Sequence, residues 1–314
     1  MQTASVGAVQ QKTRKYPKLS ASKKWFLWIF VIPTLLLFSF VTIVPLVESI
    51  YISFFEWSGY TPDMKFLGFQ NYIDILGDPL FYKSAINDFI IIFFKEIIVC
   101  AIVILFAVTL TRLKLTKVEN SIYRFIFYIP NILSSIVFTQ LWVYIFNPGI
   151  GLADGLLRAA GLYDWIPEQG WMVEHTMPVL IWVICWCTVG SFMIVMISSI
   201  NNISEETYEA AEIDGANQWR QLVHITLPAV WTQLRYMMVT ILCSSLAANM
   251  NIVLPMTNGG PDNASMVMGL YVYQFGLSGA SEVGYSNAGA VLLMIIAFGL
   301  SFLFNVVLLR REEK

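Results

Sequence analysis

Long apolar runs alternate with short polar stretches along the whole chain. About six of the runs approach the roughly 20 residues that one helix needs to cross a bilayer. They are Trp25 to Val47, Ala85 to Leu110, Ile122 to Phe146, Thr176 to Ile200, Ala229 to Met256 and Asn287 to Leu309. The pattern predicts an all-α integral membrane fold with about six transmembrane helices. The first run is longer than a signal-peptide core and no small-residue cleavage site follows it, so it reads as an uncleaved span. Six spans place both termini on one side.

Composition agrees with this reading. The chain has 314 residues, of which 57% are hydrophobic and 13% charged, with a mean hydropathy of +0.66, whereas about a quarter of the residues of a water-soluble domain are charged. Cys100, Cys185, Cys187 and Cys243 all fall inside apolar runs and read as buried thiols. Cys185 and Cys187, two residues apart on a helix, point about 200° apart. His175 and His224 lie in different loops. No metal site is expected.

The placement of lysine and arginine sets the orientation. A basic tail, residues 1–24, carries Lys12, Arg14, Lys15, Lys18, Lys23 and Lys24. The loop after the second run holds Arg112, Lys114, Lys117 and Arg124, and the end, 311–314, follows Arg310 with Arg311 and Lys314. The opposite loops contain only Lys65, Lys83 and Arg158, and the stretch from Asn251 to Ser286 has no basic residue. Both termini and the loop 201–228 are therefore expected in the cytoplasm, around a transmembrane domain of 25–310. Trp57, Tyr60, Phe66, Tyr72, Phe81 and Tyr82 fall in the outer loops, as aromatic residues at a membrane interface do.

The loop between the fourth and fifth runs has a pattern of its own. Ser204 is placed to cap a helix whose first turn holds Glu205 and Glu206, acids that favour the positive end of the helix dipole. Asp214-Gly215 should end that helix near Ile213, because glycine takes the left-handed conformation without steric cost. Asn217 can cap a second helix, on which Trp219, Leu222, Val223 and Thr226 share a face at spacings of three and four. Pro228 can open the fifth span from its first turn. The segment reads as a helix-turn-helix, either a cap on the bundle or a knob that docks elsewhere.

The segment "EAAEIDGANQWRQLVHITLP" resembles the EAA loop of the permease subunits of ATP-binding-cassette importers. Glu209, Ala210, Ala211, Asp214, Gly215, Ala216, Ile225, Leu227 and Pro228 carry the match, while Leu222 and Thr232 depart from the usual sugar-importer form. Three further stretches are similar to carbohydrate permeases. "FLGFQNYIDILGDPLFYKSAIND" resembles their first outer loop, and "YRFIFYIPNILSSIVFTQLWVYIFNPGIG" their third span. "TNGGPDNASMVMGLYVYQFG", followed by Gly284-Tyr285, resembles the maltose-type first permease, with Ser265 in place of a common threonine.

The resemblance implies a permease subunit of an ATP-driven sugar or oligosaccharide importer in a bacterial plasma membrane, and a transporter subunit is not an enzyme. It also implies a second homologous permease, an ATPase dimer that holds ATP and magnesium, and an extracellular solute-binding protein. Besides these the lipid bilayer is the one expected partner, and no nucleic acid is expected. The loop 201–228 would be the coupling element seated in the ATPase, with Glu209 facing a basic residue there. In keeping with this, the chain has no Gly-x-x-x-x-Gly-Lys-Ser/Thr loop to cradle nucleotide phosphates, so no cofactor is expected on it.

Polar groups in a span are costly unless they face a cavity or a partner. Gln140, Trp186, Thr188, Ser191, Ser244, Ser245 and Asn249 are the candidates for a solute path, with Trp182 and Asn251 nearby. Small polar residues are also ordinary helix-packing groups. Lys95-Glu96 interrupts the second run, where Lys95 could snorkel outward with Asp88 on a similar face, or the pair could contact the partner permease or form a polar lining. An ion-driven secondary transporter or a channel is the alternative class, and an importer for another polar solute, such as a glycerol phosphate, is the alternative within the family.

Overall fold

The computed structural model describes residues 21–112, 116–277 and 282–309. The expected basic tail, apart from its last few residues, and the expected end, 311–314, lie outside them. The chain divides into two compact units, residues 1–48 and 49–314. In the first, α1 (Ala21–Phe38) passes through a π turn at Ser39–Ile43 into the start of α2 (Val44–Ile52).

The second unit begins with the C-terminal end of α2. Two short strands follow, β1 (Phe55–Glu56) and β2 (Lys65–Phe66), paired antiparallel. They are a small departure from the all-α expectation. α3 (Gln70–Gly77) leads directly into α4 (Pro79–Arg112), the second span. α5 (Lys117–Ile132) and α6 (Ser135–Ile145) make the third, followed by the short helices α7 (Leu152–Ala159) and α8 (Trp171–Glu174). α9 (Thr176–Asn201) is the fourth. After the loop helices come α13 (Trp231–Ala248) and α14 (Met250–Thr257), then α15 (Met268–Leu277) and the last span, α16 (Val283–Leu309).

Among the described residues four helices are long and apolar enough to cross a membrane, and six spans result if each of two bent pairs counts as one. The two bent pairs fall on the expected third and fifth spans. α5 and α6 meet at 105°, because Leu133 and Ser134 take extended backbone at a Ser-Ser pair, a common site of helix breaks. α13 and α14 meet at 42° at Asn249.

The core forms where α4, α9 and α13 pack on one another. Val99, Val103, Leu180, Met193, Ile241 and Leu246 are fully buried there. α5 lies against α9, α6 against α14, and α16 covers α13, α15 and α3. The Asn71 side chain donates to the carbonyls of Ser53 and Phe55 at 2.9 and 3.0 Å, which ties α3 to the turn that follows α2.

Candidate functional site

The loop 201–228 folds as a helix-turn-helix. α10 (Glu205–Ile213) starts at Ser204, whose backbone is extended as at an N-cap. The expected side-chain cap is not made: the Ser204 hydroxyl pairs with Thr207 Oγ1 at 2.7 Å, and no backbone N–H of the first turn reaches it. The carboxylates of Glu205 and Glu206 already favour the positive helix end.

The C-terminus of α10 is a Schellman turn. The N–H of Gly215 donates to the carbonyl of Glu212 at 3.0 Å, and that of Ala216 to the carbonyl of Ala211 at 2.8 Å. Gly215 sits at φ +80°, the left-handed conformation this geometry requires. The spacing Ala211, Gly215, Ala216 is thus the sequence form of a helix stop.

Asn217 caps the next helix as expected, its side chain accepting from Arg220 N–H at 2.9 Å. That helix, α11 (Gln218–Gln221), lasts one turn before a π segment, Leu222–Thr226, passes into α12 (Leu227–Ala229), with Pro228 in its first turn. The wider π turn shifts the phase of the side chains. Trp219, Leu222, Val223 and Thr226 therefore do not share one face: Thr226 is buried, Leu222 half-buried, and Trp219 70% exposed.

The inner face of the loop is fixed. Tyr208 is buried, its hydroxyl paired with Thr226 Oγ1 at 2.9 Å. The Arg112 guanidinium, on the last turn of α4, lies over the Tyr208 ring, 3.7 Å from its centroid, and 4.0 Å from a carboxylate oxygen of Glu212. Ala211, Ala216, Ile225 and Leu227 are half-buried. The outer face is open. Glu209, Ala210, Asp214, Gly215 and Pro228 are exposed, and Ile213 is 87% exposed. Tyr208 and Arg112 were not among the sequence candidates for this site, although Tyr208 is the one aromatic of the first helix.

The candidate path residues divide by environment. Gln140, Ser191 and Ser244 are exposed. Trp186 and Thr188 are half-buried, with the Trp186 ring 6.0 Å from Trp182 and 6.1 Å from Phe127. Trp182, Trp186 and Phe127 wall an apolar cavity of about 220 Å³ with Ile102, Phe106 and Val189. Thr188 turns its hydroxyl back to the Ile184 carbonyl at 2.8 Å and Ser244 to that of Ile241 at 3.4 Å, and Ser191 donates to Asn131 Oδ1.

Ser245 and Asn249 are buried within the chain, and here they face α4 rather than a cavity. Asn249 Nδ2 donates to Asp88 Oδ1 at 3.0 Å, and Lys95 Nζ donates to Ser245 Oγ at 3.0 Å. The expected snorkelling of Lys95 does not occur: the residue is 5% exposed, because it has a polar partner on α13.

Residues 103–312, more than half of the chain, match the family model of the binding-protein-dependent transport system inner membrane component. The chain is 31% identical to the probable ABC transporter permease protein YurN of Bacillus subtilis, over 88% of this chain and 93% of the relative. It is 28% identical to the diacetylchitobiose uptake system permease protein NgcF of Streptomyces coelicolor, over 92% and 84%. Among solved structures it is similar to a chain of a bacterial ABC transporter involved in import of the acidic polysaccharide alginate, with TM-score 0.78 at 21% identity, covering 92% of this chain and 96% of that one. That last likeness is one of fold. The spans, the bent pairs and the family match together identify the chain as a multi-pass member of the family of binding-protein-dependent transport system inner membrane components.

Proposed function

We propose that this chain is a permease subunit of an ATP-driven carbohydrate importer, paired with a second permease and coupled through the loop 201–228 to ATPase subunits. In this reading the solute is delivered by a separate extracellular binding protein. ATP and its magnesium belong to the partner subunits, and both termini and the loop lie in the cytoplasm.

One observation carries the coupling role. The loop is tied down on its inner face by Tyr208, Thr226 and Arg112, while Ile213 and Trp219 stand exposed at its tip. Large apolar side chains on an ordered, polar-rimmed projection mark a surface that another protein covers. A loop that only capped the bundle would turn them inward. Glu209, Ala210 and Ala211 would lie along the groove of the ATPase, and Asp214 to Ala216 would fix the angle between the helices. Ile225, Leu227 and Pro228 would join the second helix to the fifth span.

The sugar assignment draws on the functions of the relatives and on chemistry. Sugars bind through hydroxyl hydrogen bonds and flat aromatic faces, and Trp186, Gln140, Thr188, Ser191 and Ser244 supply both types on surfaces left open by this chain. Ser245 and Asn249 would reach the path only if the contacts to α4 rearrange. Uptake of a panel of sugars and of glycerol phosphates, measured in cells with and without this chain and with its binding protein present, tests the reading. Loss of sugar uptake on deletion is expected, and loss restricted to glycerol phosphates would reject the sugar assignment.

A further inference from the structure

α4 is held at both ends by groups that belong to different loops. At its inner end Arg112 lies over Tyr208 and beside Glu212 of α10. At its outer end two consecutive turns grip the segment that runs from α14 into the start of α15. Lys83 Nζ donates to the Asp262 carbonyl at 2.6 Å, Asn87 Nδ2 donates to that of Met266 at 2.8 Å, and the Met268 backbone N–H donates to Asp88 Oδ2 at 2.8 Å.

Two further bonds reach the bend of the fifth span. The other Asp88 oxygen receives Asn249, the residue at the bend, and Lys95 reaches Ser245 one turn before it. Asp88 is fully buried and carries both connections. Between Asp88 and Arg112 the helix is unbroken, and at about 1.5 Å per residue this stretch covers roughly 36 Å, slightly more than the hydrocarbon thickness of a bilayer.

We propose that α4 is the connecting rod of the subunit, with Arg112 as its grip on the coupling loop and Asp88, with Lys95, as its grip on the span-five bend and the outer segment 258–268. The inference rests on the coupling role proposed for the loop 201–228. A displacement of α10 moves Arg112, because the guanidinium is held between a ring face and a carboxylate. An α-helix with its backbone hydrogen bonds intact transmits that motion along its axis. At the far end the buried hydrogen bonds of Asp88 leave the bend and the outer segment no freedom to stay behind. Arg112, Asp88 and Lys95 are positioning residues in this scheme.

The test uses the whole complex, purified through a tag on this chain, with ATP, magnesium and vanadate as the only probes. Backbone hydrogen exchange is followed in two peptides, one covering the loop 201–228 and one covering 258–268. In the wild type, trapping with vanadate is expected to change exchange in both. In Arg112→Ala the loop peptide is expected to respond as before, while the response of the outer peptide falls by about fivefold or more, the scale of a typical coupling between sites. Arg112→Lys keeps the charge without the planar stack and should fall between them.

Asp88→Asn keeps one acceptor oxygen and is expected to separate the two peptides in the same way, with loss of transport. Arg112 is on the last turn and partly exposed, so its variants test the rod even if Asp88→Asn does not assemble. An outer response equal in Arg112→Ala and the wild type, or absent in a wild type whose loop responds, overturns the rod. A wild-type complex that retains no ATPase subunit overturns the coupling reading and the rod with it.

Discussion

Gly190 of α9 approaches α5 so closely that a Cβ at position 190 would overlap the Phe127 carbonyl oxygen and Asn131 Nδ2. Helices in membranes associate through such close backbone approach, since apolar side chains gain little from leaving lipid. Gly190→Val is therefore expected to force α5 and α9 apart and to destabilise the bundle by about 1–3 kcal/mol, the usual range for overpacking. Gly190→Ala should cost less. The measurement is the thermal loss of monodisperse protein in detergent for the three forms, and equal curves would show that the α5–α9 contact yields freely.

Orientation gives the second prediction. If the lysine and arginine bias sets topology, a cysteine at Gln218 should be shielded from an impermeant maleimide in intact cells, and one at Asn263 should react. Both positions are exposed in the structure, so burial within the chain does not blur the result. The native Cys100, Cys185, Cys187 and Cys243 are removed first. Labelling at 218 from outside would reverse the topology and remove the loop from any cytoplasmic ATPase.

Local signals in the sequence translated well into structure because their physics is local. Asp214-Gly215 stops α10 at Ile213, and Asn217 caps α11, through bonds between residues at most five apart. The Gly68 and Asn71 of the outer motif are likewise explained by a left-handed turn and by side-chain bonds across the neck of α2.

What stayed hidden depends on which faces meet. Lys95 and Asp88 could be placed on one side of a helix from their spacing, but nothing in that spacing announces Ser245 or Asn249 as partners. Asn249 reads as a path residue on its own and as a packing residue once Asp88 is seen beside it. The bends escaped for a related reason. An apolar run reports its length, whereas the break at Leu133 and Ser134 leaves hydropathy unchanged.

The third prediction separates two residues that the sequence grouped together. Asn249→Ala leaves the buried Asp88 with the Met268 N–H as its remaining donor, and a buried polar group left short of a partner costs about 1–3 kcal/mol. Its first effect should be on assembly and thermal stability. Trp186→Ala opens an existing cavity on a half-buried face and should lower sugar transport while the complex and its basal ATP hydrolysis persist. Uptake, yield of complex and hydrolysis measured on both variants decide. If Trp186→Ala loses assembly and Asn249→Ala keeps it, the assignment is inverted.

The last prediction concerns the turn of the loop 201–228. A Cβ on Gly215 would meet no atom within 4 Å, so crowding inside the chain is not what demands glycine. The demand comes from φ of +80°, which costs a residue with a side chain about 1 kcal/mol. A substituted chain either accepts that strain or opens the turn and tilts α10 relative to α11. The contacts of Tyr208 with Thr226 and Arg112 hold the inner face in place, so the tilt should appear at the exposed tip, at Ile213 and Trp219.

Gly215→Asp, which also adds a negative charge next to Asp214, is expected to abolish transport. Gly215→Asn should retain part of it, because asparagine tolerates the left-handed region better than most residues. Glu209→Lys leaves the turn intact and reverses one exposed charge, so it should weaken retention of the ATPase and shift the salt dependence of that retention. All three are checked by purifying the complex through a tag on this chain, quantifying the retained ATPase subunit and measuring sugar-stimulated hydrolysis. Normal retention and stimulation in Gly215→Asp would leave the helix-turn-helix as a cap on the bundle, with its exposed tip serving some other contact.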